Sequence, residues 1–397
     1  MHPRTVIIAA LLSAACSPSP SGPSKEVASP APAIDWPARG AVHWASFHNW
    51  DDTRIAEVSR SSMVILPADF CLSPAAEEII GAMREANPDL RIIGYHLVLA
   101  VPELYPDTLY LERVLPYALD LYRLVRGNWA WTTTGDTLSM WPGQVFLDPI
   151  GEDGPDEGLI AGIAGLLESH VEERPWALDG IMHDFFMYEP YISPWLDGRV
   201  EGEIDLDGDG VPIGSDQDEK EAFYRWQIEY VREIGRRLGP DFIQIGNGKP
   251  PQEDAELAGM LNGIFYELFP NMCWSLTDLQ GTLALLDHQS EGWLREARGR
   301  TWSILTNSEI EYNNQYCLIA SLLAGCHYTE LHGTYLFSGW EFDLEPGKPL
   351  SDVVVEGRPD SAMTIRRLFS GGEARIRFGA HGGRIETSFI ENDPVVR

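Results

Sequence analysis

Two apolar, strand-length runs carry a carboxylate near their C-terminal ends. LDGIMHDFF, Leu178 to Phe186, carries Asp184, and NGIFYELF, Asn262 to Phe269, carries Glu267. Side chains alternate across a strand, so Asp184 shares a face with Gly180 and Met182, and Glu267 shares one with Gly263 and Phe265. An acid on the inward face at the C-terminal end of a parallel strand stands where barrel enzymes keep their chemistry. Two such acids suit proton transfer and nucleophilic or base attack at a glycosidic bond. Asp148, ending the run VFLDP, is a third candidate catalytic carboxylate. With one strand between those of Asp184 and Glu267, their Cα atoms are expected about 10 Å apart. That spacing admits carboxyl groups about 5 Å apart, as in retaining glycosidases, and about 6.5–9.5 Å apart, as in inverting ones. Glu267 is favoured as the acid, because Phe265, Tyr266 and Phe269 beside it disfavour a charged form by desolvation.

Further polar residues fall at predicted strand ends: His48, Tyr95, His96, Asn247 in IGNGK, Asn307 and Glu309. Such groups bond substrate hydroxyls, or they cap loops and satisfy the core. His43 and His48 differ in parity, so they face opposite sides of one strand and cannot both ligate one ion. That weakens a metal-dependent deacetylase. Of the 13 Trp residues, Trp129, Trp131 and Trp141 flank Thr134-Gly135-Asp136, which looks like a hairpin. Trp44, Trp50, Trp195 and Trp274 fall at strand ends or in loops. Trp44, Trp131 and Trp274 are the candidates for stacking on sugar faces, with ordinary core packing as the alternative.

The segment Asp205-Leu206-Asp207-Gly208-Asp209-Gly210 has acids at positions 1, 3 and 5 of a calcium loop and Gly at 6, with Asp216 at position 12. A structural Ca²⁺ held by Asp205, Asp207, Asp209 and Asp216 is one reading, and a solvated acidic loop is the other. Asp at position 12 reaches less far than the usual Glu. No cofactor is expected for catalysis.

Strand-like runs alternate with helical ones. The expected strands are Ala41 to His48, Met63 to Pro67, Arg91 to Leu97, Gln144 to Pro149, Leu178 to Phe185, Phe242 to Asn247, Gly263 to Leu268 and Thr301 to Asn307. Between them, Ser73-Pro74 opens one helix and Asn87-Pro88 closes it. Leu159 to Val171 and Gln315 to Ala324 also read as helices. Asp218 to Leu238 carries Phe223, Trp226, Tyr230, Ile234 and Leu238 on one stripe at helical spacing. Eight strands with intervening helices predict an α/β chain, a (β/α)₈ TIM barrel over 40–342. A doubly wound open sheet is the alternative, but no Gly-rich phosphate loop follows the first strand. Past Ala324 short strands separated by Gly and Pro predict a small C-terminal β appendage over 343–397.

The chain has 397 residues, 44% hydrophobic and 22% charged, which supports a large core. Its 60 acidic and 29 basic residues give a formal charge of −31. That argues against nucleic acid as a partner, since phosphate binding needs a basic surface. It keeps the chain soluble and would attract a cationic substrate. Arg4 followed by the apolar run Thr5 to Ala15 reads as a targeting segment too short to span a bilayer. Ser13-Ala14-Ala15-Cys16 resembles a bacterial lipoprotein processing site, although Ser13 stands where such sites usually carry Leu. Residues 1–16 are therefore expected to be a signal peptide ending at lipidated Cys16, with ordinary secretory cleavage as the alternative. Residues 17–39, rich in Ser, Pro and Ala, read as an extended linker. The membrane is then met only through the lipid anchor. Cys71, Cys273, Cys317 and Cys326 are expected as buried thiols.

Taken in order, these motifs resemble the glycoside hydrolase-like TIM-barrel proteins related to endo-α-1,4-polygalactosaminidases. The likeness rests on the Trp-rich hairpin and VFLDP, LDGIMHDFF, the DLDGDGVP loop with its long helix, GNGK, GIFYELF, and Trp340-Glu341-Phe342-Asp343-Leu344 running to Gly347-Lys348-Pro349. Arg367-Leu368-Phe369-Ser370-Gly371-Gly372 completes the order. Here Ser370-Gly371-Gly372 departs from the family's usual Asn-Gly, which touches the appendage alone. The resemblance covers roughly residues 40 to 385. It implies that Asp184 and Glu267 are the catalytic carboxylates, and with the N-terminal targeting segment the expectation is an exported hydrolase of an extracellular or envelope polysaccharide. A surface carbohydrate-binding lipoprotein that has kept the barrel without turnover is the alternative.

Overall fold

The computed structural model describes residues 40–42, 50–102, 112–139, 143–151, 154–190, 202–267, 269, 278–290, 303–306, 312–329, 344 and 346–391. Eight parallel strands form one sheet in chain order: β1 (Gly40–Val42), β2 (Met63–Pro67), β3 (Arg91–His96), β4 (Gly180–Phe186), β5 (Ile243–Gly248), β6 (Gly263–Tyr266), β7 (Ile304–Thr306) and β8 (His327–Thr329). The last strand returns against the first, which closes the sheet into a barrel. Helices α1 (Asp52–Ser59), α2 (Ala76–Ala86), α3 (Pro116–Val125), α4 (Glu157–Glu173), α5 (Gln217–Leu238), α6 (Ala255–Met260), α7 (Asp278–Ser290) and α8 (Tyr312–Ala324) lie between strands. This is the expected (β/α)₈ architecture.

Alternation sorts the side chains into two layers. Met63, Ile65, Ile93, Met182, Ile243, Ile245, Phe265 and Ile304 pack together inside the barrel. Val64, Leu66, Ile92 and Ile181 point outward and pack with the helical stripe of Phe223, Trp226, Tyr230 and Ile234 on α5. Asp179, one residue before β4, anchors the lower end of the sheet. Its Oδ2 accepts the Ile92 amide hydrogen at 2.8 Å and pairs with Arg84 at 3.0 Å, while Oδ1 pairs with Arg91 at 3.3 Å.

The strand count corrects two expectations. Gln144 to Pro149 does not supply a barrel strand. Gln144–Phe146 pairs antiparallel with Ala100–Pro102, just beyond the end of β3, in a separate two-stranded sheet. Its apolar residues join the outer core, with Phe146 against Phe223 of α5, so burial alone imitated a barrel strand. The missing strand is β8, His327–Thr329, which pairs parallel with β7. The run Tyr328 to Phe337 reads as a short strand in the sequence, but it follows Ala324, where Gly and Pro break the pattern, which sets it apart from the barrel's eight. Asp184 thus stands on β4 and Glu267 just past β6, with one strand between them as expected.

Strands β9 (Val354–Gly357), β10 (Met363–Phe369), β11 (Gly372–Phe378) and β12 (Ile385–Glu391) form a separate antiparallel sheet. Met363, Ile365, Phe369, Ala374, Ile376 and Phe378 line its inner face and share a core with Cys317, Ile319, Leu322 and Leu323 of α8. Arg367 is buried and ties the two bodies together. Its Nη1 donates to the Leu323 carbonyl in the last turn of α8 and its Nε to the Ser351 carbonyl, each at 3.2 Å. The expected barrel boundary at 342 lies outside the described residues. Cys71, Cys317 and Cys326 are buried and form no disulfide, while Cys16 and Cys273 lie outside the described residues. Among the described residues no helix is long and apolar enough to cross a membrane.

One irregularity bears on the site. The β4–β5 register shifts between Gly246, opposite His183, and Gly248, opposite Phe186. Gly248 has φ +126°, and a Cβ there would stand 2.1 Å from the Phe186 carbonyl oxygen. Only glycine fits this bulge. Gly248→Ala is expected to cost about 2–4 kcal/mol, because backbone rather than a flexible side chain must move. Urea denaturation of both proteins checks this, and an unchanged midpoint would contradict it.

Candidate active site

Strand parity delivers the site. Tyr95 on β3, Asp184 on β4, Asn247 on β5 and Glu267 just past β6 follow the inward-facing Ile93, Met182, Ile245 and Phe265. The Asn247 Nδ2 amide donates one hydrogen to Asp184 Oδ1 at 2.7 Å and another to Glu267 Oε2 at 3.0 Å. The Tyr95 hydroxyl donates to Asp184 Oδ2 at 2.6 Å. Asp184 is 8% and Asn247 7% exposed, while Glu267 is more open. Burial, then the negative charge of Asp184, pushes the Tyr95 hydroxyl well above the usual tyrosine range, so it stays a donor at any working pH. The group is a carboxylate pair over a dry apolar floor, cross-linked by neutral donors.

Both bonds from Asn247 leave one nitrogen, so their lengths of 2.7 and 3.0 Å cap the Oδ1–Oε2 separation at about 5.7 Å. Of the aromatic residues expected to desolvate Glu267, Phe265 lies inside the barrel. Tyr266 and Phe269 belong to the outer core with Tyr316, on which Phe269 stacks at 6.0 Å. One of the three aromatic residues expected around Glu267 therefore stands on its side of the sheet.

His96 was expected at the rim and is not there. It points outward, 4% exposed, with Nε2 2.8 Å from the Tyr117 hydroxyl and Nδ1 3.1 Å from the Tyr230 hydroxyl. Burial holds its imidazole down to about 3, so it is neutral. His96 is adjacent to Tyr95 and so takes the opposite face, which the alternation rule already contained. His183 likewise points outward, onto Gln244 at 3.0 Å.

Asp148 is not in the carboxylate cluster either, because its strand is not in the barrel. Its Oδ1 accepts the Ile150 amide hydrogen at 2.9 Å, an Asx turn. Trp131, 44% exposed, lies on a two-residue strand, Trp131–Thr132, paired antiparallel with Ile204–Asp205. Its ring is open for stacking, whereas Trp129 packs against Tyr122 and the core. Asp205, Asp207 and Asp209 come together, each with one oxygen within 4.8 Å of the others. Glu219 stands outside that distance, and Asp216 does not join them either. Its Oδ1 caps α5, accepting the amide hydrogens of Asp218 and Glu219 at 2.9 and 3.0 Å. Trp44, His48, Trp274, Asn307, Glu309 and Cys16 lie outside the described residues. Sequence reasoning missed Glu219, a 4% exposed acid on α5 behind the loop. Its signal was an acid on the buried stripe of the helix, four residues before Phe223.

No family model matches the chain, and no curated protein matches it. Among solved structures, a cyclic α-maltosyl-(1→6)-maltose hydrolase from Arthrobacter globiformis is 9% identical, covers 87% of this chain and 92% of its own, and superposes with a TM-score of 0.43. An α-amylase from H. orenii is 8% identical, covering 83% and 82%, with a TM-score of 0.40. An isomaltodextranase from A. globiformis T6 complexed with panose is 12% identical, covering 91% and 76%, with a TM-score of 0.41.

Burial pushes the Asp148 carboxyl from its ordinary 3.8 up to about 7, against the pull of the Ile150 amide and with help from the charges of Asp156 and Asp207. A raised pKa means that folding takes up a proton. The stability this group contributes is full below 3.8 and is lost as pH rises through about 7. Between about pH 5 and pH 8 stability is expected to fall in the wild type and to fall less in Asp148→Asn. Denaturation midpoints across that range measure the difference.

Proposed function

We propose that the chain is a glycoside hydrolase, with Asp184 and Glu267 as the reacting carboxylates. The observation that carries the reading is the single amide between them. It holds two acids at one site with Oδ1 and Oε2 no more than about 5.7 Å apart, a limit that admits the roughly 5–5.5 Å typical of retaining glycosidases. Asp184, with donors on both oxygens, suits a carboxylate that stays ionised and attacks the anomeric carbon. Glu267 gives its proton to the departing glycosidic oxygen. Water then adds at the anomeric carbon, surrendering a proton to Glu267 and freeing Asp184. Asn247 and Tyr95 position Asp184, and Trp131 offers a face for a sugar ring. These steps run on side chains alone.

The finer reading is endo-hydrolysis of an extracellular or envelope polysaccharide, with an amino-sugar polymer favoured by resemblance. The charge of −31 supports it, since it would draw in a cationic polymer. We also propose export and lipidation of Cys16, which the mass of the native N-terminus measures directly.

Reducing-end release across bacterial, algal and amino-sugar polysaccharides tests the activity. Asp184→Asn and Glu267→Gln are each expected to lose about 10³-fold in kcat. With an acidic aryl leaving group, which needs no protonation, Glu267→Gln keeps glycosyl transfer and Asp184→Asn does not. Proton NMR of the first product is expected to show the substrate's anomer. Full activity in both variants would end the proposal, and saturable glycan binding without new reducing ends would assign a binding protein instead. Asn247→Ala removes the donor shared by both carboxylates. It is expected to lower kcat about 10- to 100-fold with little change in KM, because it misplaces reacting groups rather than binding groups.

A further inference from the structure

Glu219, in the first turn of α5, is turned into the acidic loop. Its Oε1 accepts the amide hydrogens of Leu206 at 2.5 Å and Asp207 at 3.3 Å. Its Oε2 is fully buried and has no hydrogen-bond partner. A buried carboxylate oxygen without a donor is rare and costly, and it points to a missing partner of positive charge. The loop it faces is built of the same chemistry. Asp205 is 4% exposed, and its two oxygens take the amide hydrogens of Gly208 at 2.8 Å and Gly210 at 2.9 Å. Asp205, Asp207 and Asp209 each bring an oxygen within 4.8 Å of the others. Among the described residues none of these four acids forms an ion pair, so their mutual repulsion is not offset by Lys or Arg.

We infer that this loop is a Ca²⁺ site in which Asp205, Asp207 and Asp209, whose oxygens already lie within 4.8 Å of one another, hold the ion, and in which Glu219, whose Oε2 is buried and unpartnered, moves in from α5 as the fourth carboxylate. The donors are oxygen only, which selects a hard cation. A flexible loop of several carboxylates suits Ca²⁺ over Mg²⁺, which demands a stricter octahedron. Acids at loop positions 1, 3 and 5 with Gly at 6 follow the usual order, but the closing acid comes from the helix three residues later than usual. Asp216 caps α5 through Oδ1, which takes the amide hydrogens of Asp218 and Glu219. The ion would tie α5 to the Ile204–Asp205 strand and through it to the strand of Trp131. The inference does not depend on the glycosidase reading.

The test is calorimetric titration of CaCl₂ into the full chain after chelator treatment, beside thermal unfolding with and without Ca²⁺. One ion is expected per chain, with Mg²⁺ weaker, and saturating Ca²⁺ is expected to raise Tm by roughly 5 °C. Glu219→Gln, which keeps an acceptor for the two amides, and Asp209→Asn, at an exposed ligand, are each expected to lose about tenfold or more in affinity. Asp216→Asn, which keeps the helix cap, is expected to stay within about twofold. Circular dichroism confirms that each variant folds, and Asp209→Asn serves if Glu219→Gln does not. No heat and no Tm shift in the wild type would overturn the site. Affinity lost in Asp216→Asn but kept in Glu219→Gln would overturn the ligand set.

Discussion

A single side-chain amide holds the active end of this barrel together. Two carboxylates converge over an interior filled by Ile, Met and Phe, where like charges repel with little water to screen them. Asn247 stands on the strand between them and lends one hydrogen to each, while Tyr95 binds Asp184 from the other side. The donors are neutral, so they order the acids without pairing off their charge. This is only achievable if β3, β4, β5 and β6 keep their register. The Asp179 clamp beneath β4 and the glycine bulge at Gly248 both serve that register.

Much of this was legible as parity. Once Leu178 to Phe186 and Asn262 to Phe269 read as strands, alternation alone placed Asp184 and Glu267 inside. The same rule, applied strictly to β3, puts Tyr95 inside and His96 outside. The error with His96 was to count proximity to the strand end above its face. Parity could not say that Asn247 donates to both acids, because that depends on the relative stagger of three strands, a long-range property.

The misplaced fourth strand and the eighth, legible as a short strand but not as a barrel strand, share a cause. Composition reports burial, not which sheet buries the residues. VFL is buried against α5 and a short antiparallel partner, whereas HYT lies in the barrel with two polar side chains among its three residues. Asp148 lost its place at the rim with its strand. Glu219 went unread for the opposite reason. An acid on the inner stripe of an amphipathic helix looks like a break in the pattern, and its destination is set by how the preceding loop folds back.

The pairing of Ile204–Asp205 with Trp131–Thr132 joins two excursions that leave the barrel after different strands, β3 and β4. Within that sheet each two-residue strand has the other as its neighbour, while Trp131 is also bridged to Thr137 across its own turn and Ile204 takes the Ile213 amide hydrogen. Such elements open together rather than one at a time. The lifetime of the surface around Trp131 is therefore governed as much by the loop before α5 as by its own turn. A change in length on one excursion would demand a matching change on the other.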